Sequence, residues 1–242
     1  MNRIALLIEA SQVLGLGDLP GARKDVEDLK FFLKSPLGGA WDENEIKILR
    51  TPTKSLLEIN LSIAKSCDYV FIAFSGHGYH AKGKNINETR ICLYGQQEIS
   101  VNTLNCGSPK TTIVIDACRE VHLIQEDLAA TFAMDALSKR MLYADRAAHK
   151  RLFDAAIAAA PMGAEYLYSC DLNEAAGESR EGGYFTQALL RIGENFNKKG
   201  CVFTVDEAFR AGKYYVTAKA PQQRPVFEGG RRLTHFPFAV CA

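Results

Sequence analysis

Phe71-Ile-Ala-Phe-Ser-Gly-His77-Gly78 and Thr111-Thr-Ile-Val-Ile-Asp116-Ala-Cys118-Arg119 are apolar, β-branched or aromatic runs that each end in a reactive side chain. Short runs of this composition read as strands buried on both faces. Around them residues 3–9, 45–50 and 68–75 read as strands and 22–34 and 53–65 as helices, an alternation that predicts a mainly parallel sheet covered on both faces. If the two quoted strands are neighbours, His77 and Cys118 leave the same carboxyl edge, where open α/β folds hold their sites. A thiol beside an imidazole suits nucleophilic catalysis, because the thiolate attacks and a nearby base must take or balance its proton.

Composition narrows the class. At 242 residues, 47% hydrophobic and net charge +1, the chain can bury one sizeable core and has no concentrated basic face for nucleic acid or a membrane surface. The first apolar run, Ile4 to Ile8, is shorter than a signal-peptide core and far short of a membrane span, which predicts a cytoplasmic protein. Seven cysteines without a Cys-x-x-Cys pair point to reduced thiols. Cys67, Cys92, Cys170 and Cys201 read as small buried hydrophobes. Gly15-Leu-Gly17 is too short for a phosphate loop, which weakens a nucleotide-binding reading. His77 and His80 could form a metal pair with a Cys, but structural zinc sites usually offer four ligands.

Ser75-Gly76-His77-Gly78 followed by Asp116-Ala117-Cys118-Arg119 resembles the caspase and metacaspase superfamily of cysteine peptidases. The caspase signature is Gln-Ala-Cys-[Arg/Gln/Gly]-Gly with a His about 50 residues upstream. This chain keeps the Ala-Cys-Arg core and the approximate spacing, and it departs at Asp116, where caspases have Gln, and at Glu120, where they have Gly. Further resemblance lies in Arg3 to Ala10, Gly21-Ala-Arg-Lys-Asp25-Val26, Gly183-Tyr-Phe-Thr186-Gln-Ala-Leu and Gln222-Gln-Arg-Pro225-Val.

The resemblance implies a three-layer α/β/α sandwich with a mainly parallel six-stranded sheet. Residues 1–242 then form one peptidase domain: a large-subunit-like half (1–118), a helical connecting insertion (119–161) and a small-subunit-like half (162–242). It implies a Cys-His dyad in which Cys118 attacks the scissile carbonyl and His77 protonates the leaving amine. The amides of Gly78 and Cys118 would hold the oxyanion. No third side chain has an evident claim to orient His77. Asp116, two residues before the nucleophile, is similar to metacaspases, whose acidic first pocket accepts Arg or Lys. Asp25 and Glu178 are the further pocket candidates, although Asp116 also reads as a helix cap and Glu178 as a solvated loop acid.

Lys139, Arg140, Arg146, Lys150 and Arg151 crowd residues 138–151, where a basic-specific peptidase could cut itself; a solvated basic helix face is the plainer reading. His122, His149 and His235 read as surface or structural. The expected partners are protein or peptide substrates, with monomer and homodimer both open. No cofactor is required by these residues, and calcium dependence is allowed only by family analogy. The rival function is a latent or inactive caspase-like scaffold that binds partners.

Overall fold

The computed structural model describes residues 1–120 and 145–242. In chain order the first half contains β1 (Arg3–Ala10), α1 (Pro20–Lys34), β2 (Ile46–Arg50), α2 (Lys54–Ala64), β3 (Tyr69–Gly76), β4 (Gly78–Gly83), β5 (Ile86–Cys92), β6 (Glu98–Ser100) and β7 (Lys110–Asp116). The second half contains α3 (Arg146–Ala159), β8 (Gly163–Tyr168), β9 (Glu178–Ser179), β10 (Gly182–Gly183), α4 (Tyr184–Glu194), β11 (Cys201–Thr204), α5 (Val205–Lys219), β12 (Val226–Glu228) and β13 (Pro237–Cys241).

Six strands form the central sheet in the order β12-β8-β7-β3-β1-β2. All its pairings are parallel except that of the edge strand β12 with β8. Successive residues of a strand face opposite sides of the sheet, and the two cores follow that rule closely. Ala5, Leu7, Tyr69, Phe71 and Ala73 face one core, closed by Val26, Leu29 and Phe32 of α1, Phe153 of α3, Phe185 of α4 and Phe209 of α5. Ile4, Leu6, Ile8, Val70, Ile72 and Phe74 face the other, closed by Leu57 and Leu61 of α2 with Ile91 of β5 and Ile99 of β6. Both β1 and β3 are buried along their whole length. Each fully buried aliphatic or aromatic side chain there contributes roughly 1.5–3 kcal/mol.

Local signals set the element ends. Thr53 caps α2 by accepting from the Leu56 amide at 3.2 Å, so Pro52 precedes the cap and does not lie inside the helix. Pro20 opens α1, two residues before the start expected from sequence. Thr204 and Glu207 form the expected capping box of α5. The segment before that cap was legible only as an approach to the helix; it is strand β11, paired antiparallel with β13, a strand that follows the expected last one. Between the His and Cys strands lies a three-stranded antiparallel sheet, β4-β5-β6.

Only part of the expected helical insertion can be compared, because 121–144, with His122, Lys139 and Arg140, lie outside the described residues. Its remainder contains α3, bound to the body of the domain through Arg146, which donates to Lys34 O and Trp41 O, and Lys150, which contacts Asp42 and Glu45. All seven cysteines are free thiols. Among the described residues no helix is long and apolar enough to cross a membrane.

Candidate active site

Strands β3 and β7 are parallel neighbours, with Ser75 opposite Asp116 at their carboxyl ends. His77 and Cys118 each follow two residues beyond that last common pair. Gly78 shows how closely the two segments meet. A Cβ on it would lie 2.9 Å from both Ala117 Cβ and Arg90 O and 3.2 Å from Cys118 O, so any larger residue would push the segments apart. A further tie joins them where the His80 amide donates to Glu120 O at 2.9 Å.

His77 Nε2 lies 2.7 Å from Gly17 O, in the loop between β1 and α1. A carbonyl only accepts, so Nε2 carries the proton and Nδ1 is the basic nitrogen. Gly17 therefore fixes the tautomer, as a third group oriented toward a catalytic imidazole would. Burial holds the His77 pKa below its usual value, against a smaller opposing effect of the Gly17 carbonyl.

Cys118 sits in a loop whose neighbouring amides are committed. The Ala117 amide donates to Ser169 Oγ at 3.2 Å and the Arg119 amide to Glu174 O at 2.9 Å. Between them, the Cys118 amide has no acceptor among the described residues. Arg119 is buried, donates to Thr89 Oγ1 at 3.0 Å and Cys170 O at 3.2 Å, and lies 4.0 Å over the Tyr168 ring. It fastens the loop to the strands beneath. The sulfur accepts from the Ala176 amide at 3.3 Å, and the adjoining Gly177 amide is held by Gln223 Oε1 at 3.0 Å. Burial pushes the Cys118 thiol up; Ala176 opposes this, while Glu120, Asp116 and Glu178 add to it. Both shifts favour the neutral forms, thiol and imidazole.

Asp25, Asp116 and Glu178, predicted from sequence as pocket residues, converge beside this pair. Asp25 accepts from Ser75 Oγ at 2.7 Å, the Gly183 amide at 3.0 Å and Gln187 Nε2 at 2.9 Å. Asp116 accepts from the Thr186 amide at 3.0 Å and Thr186 Oγ1 at 2.7 Å, so its role as a cap of α4 is also met. Glycines let the backbone come this close: a Cβ on Gly183 would lie 2.3 Å from Asp116 Oδ2. Burial raises the pKa of both aspartates, and Asp116 raises Asp25 further. Glu178 is pushed up to about 7 by burial, then by Asp116, against a hydrogen bond from the Gly21 amide. No Lys or Arg among the described residues forms an ion pair with any of the three. The three acids lie together without a Lys or Arg counter-charge among the described residues.

The profile of the caspase domain matches residues 2–236. The chain belongs to the caspase family. Solved structures agree on the fold of this caspase domain. Caspase-1 from Spodoptera frugiperda is 15% identical with a TM-score of 0.61, over 96% of this chain and 90% of that one. A protein from Geobacter sulfurreducens is 18% identical with a TM-score of 0.65, over 100% of both chains. No curated protein matches the chain.

The other described histidines, His80, His149 and His235, have structural partners. His80 is buried against Thr89 and Asn87, and no cluster of His, Cys, Asp and Glu among the described residues could hold a metal ion. His149 contacts Asp145 O at 2.7 Å, and His235 contacts Glu165 Oε1 at 2.6 Å. Sequence reasoning missed Gly17, Ala176 and Gln187, the first two because they act through the backbone and carry no side-chain signature. Gln187 follows Thr186 in the quoted stretch, and one further helical step along it reaches Asp25.

Proposed function

We propose that this caspase domain is a cysteine endopeptidase that cleaves protein or peptide substrates after Arg or Lys. The observation that carries the reading is the group of three uncompensated carboxylates, Asp25, Asp116 and Glu178, beside Cys118. A desolvated carboxylate without a cation is costly, and a guanidinium or ammonium from the substrate supplies the missing charge. The aspartates already accept several donors, whereas Glu178 accepts one from Gly21, so Glu178 has the lone pairs free to meet the incoming cation.

In the mechanism this geometry supports, the substrate carbonyl sits over Cys118 with its oxygen toward the free Cys118 amide and Gly78. His77 Nδ1 takes the thiol proton as the Cys118 sulfur attacks, and the sulfur–carbon bond forms. The imidazolium then protonates the leaving amine as the carbon–nitrogen bond breaks, and water hydrolyses the thioester with His77 again as the base. Because both shifts favour the neutral thiol and imidazole, this transfer takes place with substrate bound.

Self-cleavage within residues 138–151 belongs to the same reading. Arg146 and Lys150 lie in α3 and are tied to the domain, which disfavours the extended conformation a protease needs. Lys139 and Arg140, outside the described residues, are therefore the proposed self-cleavage positions.

Fluorogenic peptides with Arg, Lys, Asp or Ala before the scissile bond, assayed with and without calcium, test the reading against a Cys118→Ala protein. Cleavage after Arg or Lys that vanishes in the variant is expected. Cleavage after Asp would overturn the pocket, and silence in every well would favour the scaffold reading.

A further inference from the structure

A cavity of about 550 Å³ opens between α5, β12 and the loop before β13. It lies at the amino end of the central sheet. Arg232 in its lining reaches back to Glu165, near the start of β8, and β8 is parallel to β7, whose far end leads to Cys118. None of its lining residues is Asp25, His77, Asp116, Cys118 or Glu178. Nothing bound here would touch the peptidase site, and the following proposal does not rest on the peptidase reading.

One side of the cavity is cationic. Arg231 is exposed and makes no ion pair or hydrogen bond among the described residues. Arg210 contacts only Asp206, on its own helix, at 2.9 Å, with a side chain 76% exposed. The buried Arg232 guanidinium lies 3.3 Å from Glu165 Oε1, and its Nη1 finds no well-aligned hydrogen-bond acceptor. His235 spends Nδ1 on Glu165, leaving Nε2 without a partner. The opposite side is apolar. Phe227 stacks against the rings of Phe209 and His235 at 5.4 and 5.6 Å, and Leu233 is fully exposed at the rim.

We propose that this cavity binds a small organic oxyanion, a phosphoryl or carboxylate group carried on a short apolar or aromatic body. The volume falls within the range of about 300–1,000 Å³ typical of small-molecule sites, which are apolar with a few convergent polar groups. Arg231 meets the oxyanion with donors that have no competing acceptor among the described residues, Arg210 adds those not engaged by Asp206, and Phe227 and Leu233 cover the body. Asp206 is the one acid in the lining and is already neutralised by Arg210.

Isothermal titration of the intact protein with phenyl phosphate, phenylacetate and inorganic phosphate tests the site. Saturable binding of either aryl oxyanion is expected, and the tighter of the two identifies the headgroup. Arg231→Ala weakens that binding about tenfold, the loss of one charge-assisted contact. Leu233→Ser weakens the aryl ligands and leaves inorganic phosphate unchanged. Both residues are exposed, so an unchanged thermal midpoint verifies that each variant is folded. The proposal fails if no aryl oxyanion binds the folded protein, if the combined Arg231→Ala and Arg210→Ala protein binds like the parent, or if inorganic phosphate binds as tightly as phenyl phosphate.

Discussion

Buried acids stand at both ends of the central sheet, and among the described residues the group beside Cys118 goes without a cation while the others, Glu9 at 3.8 Å from Arg50 Nη1 included, have one. At the amino end Glu165 is held by Arg232 at 3.3 Å and His235 at 2.6 Å, and Arg3 meets Glu45 at 3.3 Å and Asp154 at 2.8 Å. At the carboxyl end Asp25, Asp116 and Glu178 crowd one another, and no cation among the described residues pairs with them. A fold that needed charges only for structure would pair them at both ends. Leaving the three acids beside Cys118 unpaired raises the free energy of that site, and under the proposed specificity a cationic substrate side chain would recover it.

The largest effects should separate the two ends. Cys118→Ala should lower turnover of an Arg peptide at least 10³-fold, as removal of a nucleophile does, without lowering the thermal midpoint. Residual cleavage near the parent rate would remove Cys118 as the nucleophile. Glu165→Ala should do the reverse. It leaves the Arg232 guanidinium, 7% exposed, without its carboxylate and should cost about 3–5 kcal/mol of stability, while activity per folded molecule stays near the parent's. Equal unfolding midpoints for Glu165→Ala and the parent in a urea titration would show that the amino-end pairing is not structural.

Asp116→Asn sharpens the comparison from the other side. The amide keeps an acceptor for Thr186 but removes one negative charge from the pocket. The kcat/KM for an Arg peptide should fall roughly 30- to 5,000-fold, the equivalent of about 2–5 kcal/mol, and the folded state should gain stability because one repulsive acid is gone. A variant as active as the parent on Arg peptides would place the specificity elsewhere. Gly78→Ala tests the meeting of the His and Cys segments. The added methyl meets Ala117 and Arg90 O at 2.9 Å, and kcat should fall about 10²-fold through misplacement. An unchanged kcat would show that the segments can separate freely.

The central strands were legible because parallel strands buried on both faces are nearly continuous apolar runs, and Phe71 to Phe74 and Ile113 to Ile115 are such runs. His77, Cys118 and Asp116 were legible because they terminate those runs, so strand and site were read from the same residues. The β11–β13 pairing was not. Cys201 faces Cys241 across the whole of α5 and β12, and four half-buried residues give too short an alternation to announce a strand. Gly17 was invisible for another reason: it orients His77 through a carbonyl that every residue possesses. Glu178 had little to distinguish it from a solvated acid until the chain brought Gly21 and Asp116 beside it.

The smallest effect is also the most specific to the unpaired group. With its pKa raised from 4.5 to about 7, Glu178 is largely protonated in the empty pocket at pH 6 and ionised at pH 8. Because the folded value lies above the unfolded one, ionisation destabilises the empty fold as pH rises from 4.5 through 7, and a bound cation offsets that loss. Affinity for a cationic side chain should therefore increase over the same interval. His77 titrates below its usual 6.5 and sets the acid limb for every substrate alike. The ratio of kcat/KM for an Arg peptide over an Ala peptide cancels that limb and should climb several-fold between pH 6 and 8, with Glu178→Gln flattening the climb. A ratio in the parent that stays level across this range would mean that Glu178 does not meet the cation, and the uncompensated charge of the carboxyl end would then rest on the two aspartates alone.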